Sequence, residues 1–291
     1  MPEIQINTNK SNRWLNDFAR NVTSQYGENG IIEKALEVIN ECNNWCVEFG
    51  SWDGKHCSNT YNLITEKDYS AVLIEGDKKR FGELVKTFED NSKVIPLNEF
   101  VGFSSEDCLD TILKNTEVPV DFDILSIDID GNDYHIWDAV KQYRPKVVVI
   151  EFNPSIPTCI EFVQPRDMRL SQGSSLLSIT KLSESKGYKL VCVTRVNAIF
   201  VLSKYFKLFE ITDNSPQCLR VDESLITHIF CGYDGTVFLR GYGYLPWQLI
   251  PFKEGKVQQI PNWARKRFGD NNYIRIKLGK MYRRWKKKKP I

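Results

Sequence analysis

The sequence predicts an α/β fold: a seven-stranded, mostly parallel sheet flanked by helices, ending in a β-hairpin and followed by a C-terminal cap and a basic tail. Three observations carry this. Short apolar runs of strand length alternate with segments of helical period, which is the pattern of βα units. The runs are apolar at successive positions, as strands covered on both faces must be; Val147-Val148-Val149-Ile150 is the plainest. The last two runs are joined only by Arg195-Val196-Asn197, a link that suits a hairpin better than a crossover.

Taken in order, Ser24 to Gly30 lead into a helix with Ile31, Ile32, Ala35, Leu36 and Ile39 at helical spacing. A strand over 45–49 runs into the turn Gly50-Ser51-Trp52-Asp53-Gly54, and a helix is expected over 58–65. The second strand, 69–74, ends at Glu75-Gly76-Asp77. The helix after it, 78–89, puts Phe81, Leu84, Val85 and Phe88 on one face. A third strand spans 94–97 and a helix 108–115. The fourth strand, 120–129, runs into Asp128-Ile129-Asp130-Gly131-Asn132-Asp133, and a short helix passes through Tyr134, Trp137 and Val140. The fifth strand, 146–152, ends at Glu151-Phe152-Asn153-Pro154. A helix over 174–186 stops at Gly187, and the hairpin strands occupy 189–194 and 198–202. The alternation then stops, which divides the chain into 1–204, a cap over 205–262 and a tail over 263–291.

Composition narrows the function. The net charge of +2 argues against an overall nucleic-acid footprint. No window approaches the roughly 18 apolar residues of a membrane span, and Met1-Pro2-Glu3-Ile4-Gln5 has neither the basic nor the apolar region of a signal peptide. Eight scattered cysteines form no Cys-x-x-Cys pair; Cys46 and Cys192 sit in apolar runs as small hydrophobes, and Cys42 with Cys46 lacks partners for a zinc site. A reduced, cytoplasmic setting is expected.

Two clusters carry chemistry. Three carboxylates crowd the end of the fourth strand, and open α/β sheets bind ligands outside the carboxyl ends of their strands. Charges gathered there are costly unless a cation or polar ligand shares them. The second cluster is Glu48-Phe49-Gly50-Ser51-Trp52-Asp53-Gly54, a glycine-rich turn between a strand and a helix. Its glycines allow close approach of a ligand and the helix start offers free N–H donors. Glu75 ends the next strand about 20 residues later, where a carboxylate accepts ribose hydroxyls. The turn lacks the Gly-x-Gly-x-x-Gly phosphate fingerprint, which favours a nucleoside without a pyrophosphate.

These residues resemble motif I and the acidic second-strand motif of class I S-adenosylmethionine-dependent methyltransferases, which have a Rossmann-like sheet with a terminal hairpin. More narrowly, Ile74-Glu75, Ser126-Ile127-Asp128-Ile129-Asp130-Gly131-Asn132-Asp133 and Val149-Ile150-Glu151 resemble the FkbM-like branch. That branch commonly carries Lys-x-Asp-x-Glu-Gly at the fourth strand; Ser126 stands here for the Lys and Asp130 for the Glu. The resemblance covers 25–202. It implies S-adenosyl-L-methionine as cofactor, with Glu48 and Gly50 by its methionine part, Gly54, Ser58 and Asn59 in the same loop, and Glu75 on the ribose. Asp77 either assists Glu75 or caps the next helix. Asn98 and Glu99 fall where the fold contacts adenine, and Asp128 lies between cofactor and substrate.

Asp128, Asp130 and Glu151, with Asn153, end adjacent strands and offer the hard oxygens that suit Mg²⁺. Some sugar O-methyltransferases of this fold use such an ion. The other reading is hydrogen bonding to substrate hydroxyls with Asp128 or Asp130 as general base. Carboxylates two apart on a regular strand face opposite ways, so only a turn at Ile129-Asp130 brings them together. His56 is a further candidate base, His135 a second, and His228 reads as structural. Asp133, Asn153, Arg166 and Trp247 are substrate candidates, Arg166 with Arg169 for an acidic group and Trp247 for stacking on a sugar.

The expected function is O-methylation of a hydroxyl on a sugar or surface glycan. The alternatives are a small-metabolite methyltransferase and a non-catalytic scaffold of the same fold at a membrane. No Asn-Pro-Pro-Tyr motif is present, which lowers nucleic-acid N-methylation, and no nucleic-acid partner is expected. The tail sets Ile274, Ile276, Leu278, Met281, Tyr282 and Trp285 among twelve Lys and Arg residues. That pattern suits a peripheral contact with an anionic membrane surface.

Overall fold

The structure, a computed structural model, describes residues 11–266, 269 and 271–288; the expectations placed on Met1 to Gln5 and on Lys289 lie outside them. The chain forms two compact units, one ending at Glu223 and the other spanning Ser224–Ile291.

In the first unit α1 (Glu28–Ile39) precedes β1 (Trp45–Phe49), α2 (Tyr61–Glu66), β2 (Ser70–Ile74), α3 (Lys78–Thr87), β3 (Val94–Leu97) and α4 (Leu109–Leu113). There follow β4 (Ile124–Ile127), α5 (Asp133–Ala139), β5 (Val147–Glu151), α6 (Leu176–Ser185), β6 (Tyr188–Val193), β7 (Asn197–Leu202) and α7 (Pro216–Leu219). The seven strands form one sheet in the order β3-β2-β1-β4-β5-β7-β6. The pairs among β1 to β5 are parallel; β7 runs antiparallel to both β5 and β6. This is the predicted fold, a Rossmann-like mostly parallel sheet of seven strands with a terminal hairpin.

Every residue of β4 and β7 is buried, and the core runs through both faces of the sheet, from Leu15 and Ile31 to Trp137, Phe152 and Phe200. Successive apolar residues are needed because both faces are covered. Strand order reverses between β1 and β4, so the loops after them diverge and leave a crevice at the carboxyl ends.

Several boundaries differ from expectation. The fourth strand is shorter than 120–129: Val120 is exposed and pairing ends at Ile127, where the chain turns. Helix α2 starts at Tyr61 because Ser58, Asn59 and Thr60 are committed to hydrogen bonds with Glu48. Helix α1 begins earlier, at Glu28, after Gly27 with φ +93°. The first unit also takes in residues assigned to the cap: Tyr205, Phe209, Ile211 and Leu219 are buried in the sheet's core, and Trp14 Nε1 donates to the Phe209 carbonyl at 2.8 Å.

In the second unit β8 (Thr227–Cys231) pairs antiparallel with β9 (Val237–Gly241), and β10 (Tyr244–Leu245) with β11 (Ile250–Pro251). Helix α8 (Tyr273–Lys287) is capped by Asn272, whose side chain accepts from the Arg275 amide, and packs on the 3₁₀ turn Asn262–Ala264. Among the described residues no helix is long and apolar enough to cross a membrane.

Candidate active site

The crevice is built by holding loops together at the carboxyl ends of β1, β2, β4 and β5. Gly50 has φ +72°, and any side chain on it would overlap the carbonyl oxygen of Asp128. Its lack of a side chain therefore serves backbone contact between the ends of β1 and β4. Gly54, also at positive φ, faces Leu84 of α3 and the nearby Phe88, so it packs the loop inward instead of opening it to a ligand.

Glu48, expected by the methionine part of the cofactor, is buried, with its carboxylate largely spent on its own loop. It accepts from Ser58 Oγ at 2.6 Å, Thr60 Oγ1 at 2.8 Å and the Asn59 amide at 2.8 Å, leaving about one acceptor site of four. Ser58 and Asn59, also expected at the cofactor, are buried; Asn59 Nδ2 reaches Ser126 Oγ at 3.0 Å and links the loop to β4. These residues brace β1 against β4.

Glu75 accepts from the Trp52 amide and the Asp77 amide, each at 2.8 Å. Each oxygen keeps room for another donor, so a buried, oriented carboxylate stands ready at the end of β2. Of the two readings of Asp77, its side chain takes the cap: it accepts from Lys79 and Arg80 at the start of α3, and those bonds hold it below the usual carboxylate range. Asn98 Nδ2 donates to the carbonyls of Glu75 and Gly76, which fixes the turn, while Glu99 is exposed. Two aromatics that sequence reasoning missed stand here. Phe100 is 74% exposed with its ring over Gly76, and Trp52 is exposed with the Arg80 guanidinium 3.9 Å from its ring centre.

Asp128, Asp130 and Glu151 do come together: each offers an oxygen, and the three lie within 4.8 Å of one another. Strand β4 ends first, and Asp130 adopts left-handed backbone at φ +58°, which defeats the alternation of a strand. The turn is held by Asp133, whose carboxylate accepts from the Ile129 and Gly131 amides, each at 2.9 Å. Asp133, expected at the substrate, is thus a buried scaffold for the residues that face it.

Burial pushes the Asp128 carboxyl up to about 8, with Asp133, Asp130 and Glu48 adding repulsion. Burial raises Asp133 to about 6 against the pull of its amide bonds, and raises Glu151 well above the carboxylate range, with Asp128 the next cause. Such a set is satisfied by a shared proton, by hydroxyl donors, or by a hard divalent cation whose oxygen preference it matches.

The other candidates are committed elsewhere. Asn153 Nδ2 donates to the Gln172 carbonyl at 2.7 Å, and its Oδ1 accepts from the amide and hydroxyl of Ser155. Arg166 donates to the Phe103 carbonyl at 2.7 Å with its guanidinium 4.6 Å from the Phe103 ring, and Arg169 pairs with Asp167. His56 is exposed, edge-on to Trp52 at 5.2 Å. His135 Nε2 sits 2.8 Å from the Gln164 carbonyl, which can only accept, so that nitrogen carries the proton. Trp247 and His228 are exposed residues of the second unit. Gln164, which opens the polar loop 164–175, is buried: it accepts from the Gln172 and Gly173 amides and donates to the Leu170 carbonyl, which shapes the loop after β5.

No protein-family model matches the sequence, and no curated protein matches it. Among solved structures, the chain is similar to the N-terminal domain of EvdMO1 determined with SAH and D-fucose, at 8% identity over 60% of this chain and 81% of that one, TM-score 0.38. It is similar to M. jannaschii TYW2 in complex with AdoMet (15%, 64% and 80%, TM-score 0.34). It is also similar to a SAM-dependent methyltransferase from Aquifex aeolicus (11%, 58% and 87%, TM-score 0.35). The fold rests on the strand order and the chemistry on the side chains, independently of these likenesses.

Proposed function

We propose that the first unit binds S-adenosylmethionine across the ends of β1 and β2 and transfers its methyl group to a hydroxyl of a sugar or glycan held at the ends of β4 and β5. The observation that carries this is the pairing of two unlike carboxylate sites in one crevice. Glu75 is oriented with acceptor capacity to spare, and Asp128, Asp130 and Glu151 each turn an oxygen toward the others.

Glu75 accepts the ribose hydroxyls, and Phe100 offers an exposed ring for the adenine. Vicinal hydroxyls of a sugar donate to Asp128, Asp130 and Glu151, which answers the acceptor excess. The attacking oxygen gives its proton to a carboxylate as it bonds to the methyl carbon; the carbon–sulfur bond breaks, and S-adenosylhomocysteine leaves uncharged. Asp128, raised to about 8, holds and releases a proton near neutral pH, as a general base must. Mg²⁺ held by Asp128, Asp130 and Glu151 would acidify the same hydroxyl. Most of the acceleration comes from positioning.

Titration calorimetry with S-adenosylmethionine tests the cofactor half. Glu75→Ala removes bonds to a charged acceptor worth ~1.5–3 kcal/mol each, so affinity should fall at least about tenfold; unchanged affinity overturns the assignment. Asp128→Asn should abolish transfer while cofactor binding persists, and retained turnover would remove Asp128 from the chemistry. Full activity after thorough chelation would dismiss the metal and leave the base.

A further inference from the structure

Helix α8 has one face committed within its own unit. Gly279 is buried against Ala264, Arg283 caps the Ala264 carbonyl, and Tyr282 meets Trp263 edge-on at 5.3 Å. At 3.6 residues per turn, Ile274, Leu278, Met281 and Trp285 fall in a stripe about 60° wide on the side away from Gly279 and Arg283. They are 70%, 50%, 58% and 51% exposed. Lys277, Arg284 and Lys288 follow one edge of the stripe, Tyr282 lies on the other, and the helix holds no Asp or Glu. Beyond the stripe Arg265, Lys266 and Lys280 line a cavity of about 240 Å³, which adds to the local positive field.

Single exposed apolar residues are ordinary, but four large ones aligned on one helix are not. An apolar stripe with a cationic rim matches a surface that is apolar inside and negative outside. We infer that α8 docks in the plane of a bilayer leaflet rich in anionic phospholipid, with Ile274, Leu278, Met281 and Trp285 among the acyl chains and the rim cations on the headgroups. Fifteen helical residues of this composition lie on a membrane and do not cross it. The inference is independent of the chemistry assigned to the first unit.

The test is co-sedimentation of the full chain with vesicles of phosphatidylcholine, alone or mixed with phosphatidylserine. Binding is expected only to the mixed vesicles, falling steeply as salt is raised. Leu278→Asp with Met281→Asp should weaken it about tenfold or more, as should Lys277→Glu with Arg284→Glu, since each reversal turns an attraction to the headgroups into a repulsion. These are surface changes, so a thermal melt should match that of the parent chain. Three outcomes overturn the inference. Equal binding to neutral vesicles removes the anionic leaflet. Binding lost on charge reversal but untouched by the two Asp substitutions leaves only attraction to any polyanion. A dimer in gel filtration that those substitutions dissolve would make a second copy of the chain the cover of the stripe.

Discussion

The two ends of β4 carry carboxylates handled in opposite ways. Just before the strand, Asp123 is fully buried and saturated: Lys146 Nζ lies 2.6 Å away, and the Asn43 and Asn44 amides donate to it. Just after the strand, Asp128 meets two further acids, Asp130 and Glu151. The first arrangement closes the amino end of the sheet as a finished structure. The second leaves an electrostatic demand that folding does not meet. A buried acid that serves stability takes its partners from the chain; one kept for a ligand holds a proton until the ligand arrives.

The largest effect should come at the saturated end. Asp123→Ala strands the Lys146 ammonium and should cost about 3–5 kcal/mol in urea unfolding of the first unit; a loss below about 1 kcal/mol would mean the pair anchors nothing. Between the two ends stands Gly50. Gly50→Ala forces a side chain onto the Asp128 carbonyl at a left-handed position and should cost about 3 kcal/mol or abolish folding. A fully stable variant would place the loop elsewhere.

The unsaturated end predicts a pH dependence. Asp128 and Asp133 titrate higher when folded than the ordinary Asp value of about 4, so between the two values the folded state binds more protons than the unfolded chain. Stability should therefore fall as pH rises from about 4 toward 8. Allowing for solvent screening, the drop should be about 1–2 kcal/mol, and added Mg²⁺ should offset it if the ion binds there. Stability rising over this range would mean the acids are paired. Smallest of all, Asp128→Asn should stabilise the first unit by about 1 kcal/mol at pH 8 while removing transfer; destabilisation would place Asp128 with Asp123 as a structural acid.

Much of this sheet is legible in the sequence because strands covered on both faces need successive apolar residues. Trp45–Phe49 and Val94–Leu97 fall where those runs put them. The meeting of Asp128 with Asp130 was conditional on a turn, and the left-handed Asp130 supplies it; aspartate enters that conformation more readily than most residues, but its presence alone does not fix it. Residue type showed that Glu48, Asp133 and Asn153 are polar groups near strand ends. It did not show their partners, because a hydrogen bond depends on chain returning from elsewhere. Glu48 is claimed by Ser58 to Thr60 and Asn153 by Gln172. The burial of Gln164 was invisible for the same reason: a glutamine in a polar loop reads as solvated until three amide and carbonyl groups close around it.

The placement of β7 between β5 and β6 has a consequence for synthesis of the chain. When β5 leaves the ribosome, its outer edge, Val147-Val148-Val149-Ile150, has no neighbour, since its partner is Asn197–Leu202. At roughly 5–20 residues per second, that partner follows several seconds later. For that interval an uncharged, β-branched edge is open to pairing with any other chain. Chains ending before Asn197 should therefore aggregate even though their five parallel strands are complete, and helper proteins that shield strand edges during translation should raise the yield of the full chain.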